Sequence, residues 1–193
     1  MKLIPILAAA ASIFAASSAS AAFVTLNFED IPNTVSVIGD FPIGSFDNSV
    51  VFANDAGDNK AMIVNTATAS TSVFNAGAGG GFLDSLSMSY FNASGVDGTV
   101  SIWSGLNGLG SQLASITLGD NSGSADAQLL NTWTLASANF TGLAQSIVFS
   151  GNDGNIAYDN VAVNAVPLPA ALLLFPMGAA GLGLSARRKR KQA

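Results

Sequence analysis

Apolar and polar residues alternate with a period of two through the middle of the chain. The clearest run is Leu83–Phe91, where an apolar set and a serine set fall on opposite sides: Leu86, Met88 and Tyr90 against Ser85, Ser87 and Ser89. Such alternation is typical of a half-buried β-strand. We therefore predict strands at this run and at Phe23–Phe28, Val35–Ile38, Ser49–Ala53, Ala61–Val64, Ser70–Phe74, Thr99–Trp103, Leu113–Leu118, Asn131–Leu135, Gln145–Phe149 and Ile156–Val163.

The segments between these runs are rich in turn-forming residues. They include Val96-Asp97-Gly98, Asn107-Gly108, Asn121-Ser122-Gly123 and Asn152-Asp153-Gly154, and Gly, Asn and Asp favour the backbone conformations of tight turns. The middle region shows no amphipathic helical stripe and no repeat of fixed period. Evenly spaced short strands with such turns predict an all-β fold, an antiparallel β-sandwich.

The first 21 residues differ in character from the predicted strands. Lys2 precedes an apolar, alanine-rich run from Leu3 to about Ala16, and Ala19-Ser20-Ala21 matches the A-x-A pattern that signal peptidase accepts. The run is short of the roughly 18 strongly apolar residues that a membrane anchor needs. Residues 1–21 are therefore predicted to be a secretory signal peptide, with signal peptidase as a partner during export.

An uncharged segment and a basic cluster end the chain. No charged residue lies between Ala170 and Ala186, and five cations follow directly: Arg187, Arg188, Lys189, Arg190 and Lys191. A helix over about 170–186 spans roughly 25 Å, close to the thickness of a hydrocarbon core. We predict a single transmembrane helix whose stop-transfer cluster at 187–191 stays on the cytoplasmic side, so that the bulk of the chain is exported.

The net charge of −5 conceals a strongly acidic middle region. Residues 22–165 hold one cation, Lys60, against all twelve acidic residues, a formal charge of −11. Such a surface repels nucleic acid and favours divalent cations. The chain has neither cysteine nor histidine, which excludes disulfides, histidine-based catalytic triads and histidine-ligated zinc. About 144 residues suffice for one core without such support.

The start of the C-terminal segment carries a resemblance to a known family. Val166, Pro167, Leu168, Pro169 and Ala170 precede the uncharged segment and the basic cluster. This order resembles the PEP-CTERM sorting signals, in the VPLPA variant that has Leu168 where the parent motif has glutamate. The two prolines cannot continue a helix and would present an extended peptide at the membrane interface. Residues 166–193 are thus predicted to be a sorting signal.

The resemblance implies both a processing enzyme and a destination. An exosortase, an integral-membrane cysteine protease-transpeptidase, would cleave near the motif at 166–170, in a Gram-negative bacterium that makes exopolysaccharide. The protein would pass through an inner-membrane intermediate held by its C-terminal helix, and then reach the cell surface or extracellular matrix. Residues 22–165 would be the exported working domain.

The exported domain also resembles jelly-roll carbohydrate-binding domains through one short motif at each end. These are Asn27-Phe28-Glu29-Asp30 and Ala157-Tyr158-Asp159-Asn160-Val161-Ala162-Val163. In such jelly rolls the matching positions on the first and last strands share a structural calcium ion, which implies Ca²⁺ ligands at Glu29, Asp30, Asp159 and Asn160. Carboxylate and carbonyl oxygens are the ligands that calcium prefers. The alternative for both motifs is ordinary turn chemistry at strand ends.

Three functions remain open for the exported domain. The favoured one is a non-enzymatic surface or matrix protein that associates with exopolysaccharide and has no catalytic residue. A carboxylate-dependent, polysaccharide-active enzyme is the second, although no carboxylate pair stands out, and self-assembly through sheet edges is the third. Trp103 and Trp133 are able to stack on sugar rings, but core packing is the favoured interpretation because both lie in strand-like runs.

Overall fold

The computed structural model describes residues 21–31, 40–41, 43–53, 60–65, 69–121, 133–151 and 154–166. Within these ranges the chain forms β1 Ala22–Leu26, β2 Asp40–Phe41, β3 Gly44–Phe46, β4 Ser49–Ala53, β5 Lys60–Val64, β6 Thr71–Ala76, β7 Gly81–Asn92, β8 Gly98–Trp103, β9 Gln112–Leu118, β10 Thr134–Asn139, β11 Ser146–Ser150 and β12 Ile156–Val166. A short 3-10 turn at Leu106–Gly108 lies between β8 and β9.

The strands form two antiparallel sheets. Sheet A has the order β10-β7-β12-β5-β4, with β1 also paired to β12, and sheet B has the order β2-β3-β6-β11-β8-β9. From β5 onward, one sheet contains β10, β7, β12 and β5 while the other contains β6, β11, β8 and β9. This is the strand order of a two-sheet jelly roll, and the predicted antiparallel β-sandwich is confirmed.

Side chains from both sheets meet in one main core. Aromatic rings cross between the sheets: Phe74 of sheet B stacks on Phe82 of sheet A with 5.5 Å between ring centroids, and Phe149 meets Tyr158 edge-on at 5.0 Å. The apolar side of Leu83–Phe91 is buried in this core, as the alternation predicts. Burial of apolar area between the two inner faces is the main contribution to the stability of such a sandwich.

Two short strands and the position of one strand differ from the predictions. The alternation does not predict β2 and β3. In β3, a Cβ at Gly44 would overlap the carbonyl oxygen of Asn75, so this position needs a glycine rather than a strand-forming side chain. Residues 131 and 132 of the strand predicted at Asn131–Leu135 lie outside the described residues, and the structure has a strand at Thr134–Asn139. Its small residues Ala136 and Ala138 pack on the core while its large Leu135 is exposed, the reverse of the expected pattern.

Most of both predicted targeting segments lie outside the described residues. This applies to residues 1–20 and to residues 167–193, which include the motif from Pro167 onward, the helix at about 170–186 and the basic cluster, and also to the strand predicted at Val35–Ile38. Within the described ranges, none of the helical structure is long and apolar enough to cross a membrane. Val166, the first residue of the motif, is the last residue of β12.

Candidate functional site

The outer face of sheet B is partly covered by the loop of residues 104–110. Asn75 Nδ2 donates to Asn107 Oδ1 at 2.9 Å, and Asn107 N–H donates back to Asn75 Oδ1 at 2.7 Å. The Ser146 hydroxyl accepts from Gly108 N–H at 2.9 Å and donates to the Gly105 carbonyl at 2.6 Å. A ligand would have to displace this loop before it could lie flat on sheet B.

The outer face of sheet A consists of three rows of side chains in cross-strand register. The first row is Leu135, Ser89 and Asp159, and the second is Ser137, Ser87, Ala162 and Thr25. A bulge interrupts the third row: Asn139 pairs with Ser85 before it, and Asn164 pairs with Leu83 and Phe23 after it. Each row runs from β10 through β7 to β12, and the second and third rows continue to β1. These positions alternate with buried core residues along their strands, so they face away from sheet B.

Uncharged hydrogen-bonding groups dominate this face. The rows contain five hydroxyl groups and two carboxamides: Ser85, Ser87, Ser89, Ser137, Thr25, Asn139 and Asn164. A hydroxyl both donates and accepts, and a carboxamide offers two donors and one acceptor in a fixed plane. No lysine or arginine stands in the rows. The face can therefore hydrogen-bond a polyhydroxylated ligand through many weak, uncharged contacts.

Two β-bulges place carboxylates at opposite ends of the face. The register of β12 against β7 shifts twice; near the first shift Asn160 has a φ of 50°, and near the second Asp84 has a φ of 68°. Asp84 Oδ2 accepts a hydrogen bond from Asn164 Nδ2 at 3.2 Å. Asp159 lies opposite Ser89, five residues along β7 from Asp84, or roughly 17 Å at the rise of a strand. Bulges of this kind re-aim side chains beside functional sites.

Apolar side chains flank the hydroxyl rows. Phe23 and Leu135, at opposite corners of the face, are 68% and 75% exposed. Trp133 lies beyond the first row, half-buried on a small second cluster of sheet A: Ala61, Phe91 and Ala157. Trp103 is half-buried on sheet B, where its indole N–H donates to the Ser101 hydroxyl at 2.8 Å. Core packing is therefore confirmed in part for Trp133, which packs on this second core cluster, whereas Trp103 belongs to neither cluster.

A carboxylate pair lies beside this face, where β1 and β5 share one edge of β12. β1 pairs with the later part of β12, from Val161 to Ala165, and β5 pairs with Ala157 and Tyr158. Asp159 and Asn160 occupy the gap between the two partners. Asn160 donates two hydrogen bonds to the carboxylate of Asp159. Its backbone N–H donates to Asp159 Oδ1 at 2.7 Å, and its Nδ2 donates to Asp159 Oδ2 at 2.9 Å.

Glu29 reaches the same gap from the turn after β1. Its Oε1 accepts the backbone N–H of Lys60 at 3.1 Å, and its carbonyl oxygen accepts Lys60 Nζ at 2.5 Å. Lys60 begins β5, so these two bonds join the end of β1 to the start of β5 across the edge of β12. We call the group formed by Glu29, Lys60, Asp159 and Asn160 the carboxylate junction.

Ionisation of Asp159 is costly in this junction. Burial raises the pKa of Asp159 above its ordinary 3.8, the bond from Asn160 N–H lowers it, and the negative charge of Glu29 raises it. Because the folded-state pKa is raised, the stability that Asp159 contributes is present below pH 3.8 and is lost as the pH rises through the raised value. A cation bound beside Asp159 would offset this cost at neutral pH.

Three of the four predicted calcium ligands come together in the junction. Glu29 lies close enough to Asp159 to raise its pKa, and Asn160 donates to Asp159, whereas Asp30 follows Glu29 in the turn after β1. In the part of the chain that the structure describes, no group of three or more Asp, Glu, His or Cys side chains could share a metal. The available donors are two carboxylates and one amide oxygen. This all-oxygen set suits a hard cation such as calcium, with further ligands from backbone carbonyls and water.

Asp84 and Asn164 are site residues that the sequence reasoning missed. The alternation in Leu83–Phe91 correctly separates the serines from the core, but it does not identify them as a binding surface. A signal for the bulge was present, since a charged residue at position 84, next to Leu83, is unusual near the start of a strand. Its bond to Asn164 joins residues 80 positions apart, and that contact follows only from the pairing of β7 with β12.

Comparison with known proteins finds likeness in structure alone. No protein-family model matches the chain, and no curated protein matches it in sequence. Among solved structures, a mutant of the family 29 carbohydrate-binding module CBM29-2 complexed with cellulohexaose is 11% identical with a TM-score of 0.46, covering 75% of this chain and 91% of that one. The module CBM6cm-2 from Cellvibrio mixtus lichenase 5A, complexed with cellotriose, is 12% identical with a TM-score of 0.44, covering 73% and 95%.

Proposed function

We propose that the β-sandwich is a non-enzymatic polysaccharide-binding domain and that the outer face of sheet A is its binding surface. The observation that carries the proposal is the three-row arrangement of hydroxyl and carboxamide side chains with exposed Phe23 at its corner. A sugar ring presents hydroxyl groups at its rim and C–H groups on its faces. A surface that combines hydrogen-bonding side chains with an aromatic ring complements both.

The affinity of this surface for a polymer is expected to come from its repeated rows of hydrogen-bonding side chains. A hydrogen bond between neutral groups contributes about 0.5–1.5 kcal/mol net, so one sugar unit held by one row would bind weakly. A polymer that crosses all three rows engages several such bonds at once, and its repeated units raise the effective concentration at the face. Affinity is therefore expected to increase with chain length until the ligand spans the face.

The first test is to block the face with a single bulky cation. Ser137 is exposed on β10 at the start of the second row, and Ser137→Arg should weaken polysaccharide binding at least tenfold, about 1.4 kcal/mol. Native electrophoresis through gels containing a β-glucan, a galactomannan or chitosan measures this as lost retardation. The matched control is Ser115→Arg, which adds the same charge at an exposed position of β9 in sheet B.

Two results would contradict the proposal. Equal retardation of Ser137→Arg, Ser115→Arg and the unchanged protein would place binding somewhere other than on sheet A. Release of reducing ends from any of these polymers, abolished by Asp159→Asn, would make the domain an enzyme that uses the carboxylate junction. Turnover would then replace binding as the primary activity.

We also propose that the domain is exported and trimmed at both ends, by signal peptidase and by an exosortase. The folded unit supports this, because β1 begins at Ala22, directly after the A-x-A pattern, and β12 ends at Val166, where the sorting motif begins. Ala22 pairs with Ala165, so both predicted cuts fall at one end of sheet A. Removal of the flanking segments would leave each of these strands whole.

Intact mass spectrometry of the protein from an exosortase-bearing host tests this processing. The expected species begins near Ala22 and ends near the motif at 166–170, in the medium or at the cell surface. A matched strain that lacks the exosortase should accumulate a longer, membrane-associated form. A mature species that retains Arg187–Lys191 would show that the tail is a permanent anchor and would rule out the sorting hypothesis.

The carboxylate junction is proposed, in addition, to hold a structural calcium ion. Glu29, Asp159 and Asn160 would supply ligands from the end of β1 and the middle of β12. Bound calcium would supply the positive charge that offsets the repulsion between the two carboxylates. It would also tie the first strand of the domain to the last, which links the ion to stability rather than to ligand recognition.

A further inference from the structure

The charged side chains on the outer face of sheet A are all negative. The carboxylates of this face are Asp84, at the bulge that interrupts the third row, and Asp159 in the first row, and its rows contain no cation. Residues 22–165 have a single lysine, Lys60, and the ammonium group of that lysine bonds the carbonyl oxygen of Glu29 in the junction. A polymer rich in carboxylate or sulfate would meet like charges without a basic partner, which disfavours its binding.

Asp84 is the charged group best placed to contact a ligand. It is exposed at its bulge, and its Oδ2 accepts one hydrogen bond, from Asn164 Nδ2. An ionised carboxylate has about four acceptor sites, so the bond to Asn164 orients the group without filling it. The side chain next to Asn164 across the β1–β12 pairing is Phe23, the exposed aromatic ring of the face.

This juxtaposition suits a cationic amine. An ammonium group donates up to three hydrogen bonds, is attracted to a carboxylate through charge-assisted bonds, and is attracted to the face of an aromatic ring. Asp84 and Phe23 offer both partners at one end of the hydroxyl rows. A neutral sugar would use the hydroxyls but would leave this pair without an ionic partner.

We propose that the polysaccharide bound by the outer face of sheet A carries free amino groups, as partly deacetylated amino sugars do, and that Asp84 together with Phe23 recognises them. The inference rests on the proposed polysaccharide-binding function and adds the chemical class of the ligand. Because amine recognition is electrostatic and Asp84 is exposed, binding should weaken as salt screens the charges.

Isothermal titration calorimetry with two matched hexamers tests the inference. The glucosamine hexamer carries an amine on every unit, and the N-acetylglucosamine hexamer has the same backbone without the charge. We expect the first to bind at least tenfold more tightly than the second. Asp84→Asn should remove most of that difference while keeping the bulge, because asparagine tolerates a positive φ and can still accept from Asn164.

The control variant separates this site from the general attraction of an acidic protein for a polycation. Asp97 is exposed in the connection between β7 and β8, and Asp97→Asn removes the same charge away from the face. If Asp97→Asn weakens binding as much as Asp84→Asn, the attraction is bulk charge and the inference is overturned. It is also overturned if the glucosamine hexamer does not bind.

Failure of the inference and failure of the proposed function give different results. If both hexamers bind equally and Ser137→Arg weakens both, sheet A binds polysaccharide without recognising amines. If neither hexamer binds and no polymer retards the protein in the electrophoresis test, the polysaccharide-binding function itself fails.

Discussion

Replacement of Asn92 by alanine is expected to destabilise the sandwich by about 3 kcal/mol and to lower Tm by about 10 °C. The Asn92 side chain is fully buried at the end of β7. Its Nδ2 donates to the Val96 and Leu118 carbonyls at 3.0 and 2.8 Å, and its Oδ1 accepts Ser94 N–H at 2.9 Å. Alanine would remove the partners that Asn92 gives to the Leu118 carbonyl and to the Ser94 N–H, and each buried group left unsatisfied costs about 1–3 kcal/mol.

Thermal and urea denaturation of Asn92→Ala measure this loss, and Asn139→Ala is the matched control. Asn139 ends β10 with an exposed side chain, so its loss should change the free energy of unfolding by less than about 0.5 kcal/mol. If Asn92→Ala is as stable as Asn139→Ala, the network around Asn92 does not hold β7, the following turn and β9 together.

The alternation of side chains was enough to predict most of the fold. A strand with one face on the core and one in solvent repeats every two residues, and this places β4 at Ser49–Ala53 and locates β7, β8 and β12 to within a few residues. Alternation does not predict a strand correctly where the core has no room for a large apolar side chain. β10 buries alanines and exposes Leu135, and β3 requires Gly44 for a close backbone approach to β6.

The carboxylate junction was partly predictable for a topological reason. The first and last strands of many sandwiches are neighbours, and β1 does pair with β12, which brings Glu29 close enough to Asp159 to affect its pKa. Lys60 was not predictable as a member of the junction. Lys60 lies there because β5 pairs with the first part of β12 and β1 pairs with the later part, on the same edge. No local sequence pattern predicts that two strands share this edge.

The choice of sheet A over sheet B also needed the structure. Alternation assigns the β7 serines and the β8 residues Thr99 and Ser101 equally to outer faces. The difference arises from the 104–110 loop, whose Asn107-Gly108 turn was predicted but whose docking on Asn75 and Ser146 was not. The predicted turn explains the shape of the loop, while the tertiary hydrogen bonds decide which face it covers.

Calcium is expected to raise the Tm of the domain through the carboxylate junction. At a concentration one hundred times the Kd, a ligand that binds the folded state alone adds about 2.7 kcal/mol, which corresponds to a rise in Tm of about 10 °C. Glu29 and Asp159 repel each other in the folded state, and the unfolded chain separates them. The ion should therefore bind the folded state preferentially.

Thermal unfolding at neutral pH, in millimolar calcium and in chelator, measures this effect. Glu29→Gln and Asp159→Asn should each abolish the rise in Tm. In chelator, Asp159→Asn should be no less stable than the unchanged protein as the pH rises above 3.8, because the variant no longer bears the cost of ionising a carboxyl group whose folded pKa is raised. Loss of an ion site alone would thus remove the rise in Tm with calcium without lowering Tm in chelator, whereas general damage to the fold would lower Tm in both.

Two controls complete the test. Asp97→Asn removes a carboxylate outside the junction and should keep the full response to calcium. Magnesium at the same concentration should give a smaller rise, since it demands a stricter octahedral geometry and dehydrates reluctantly. Identical melting curves with calcium and with chelator would end the calcium proposal. Both motifs would then be strand-end turns that bring β1 and β5 to the same edge of β12 through Lys60.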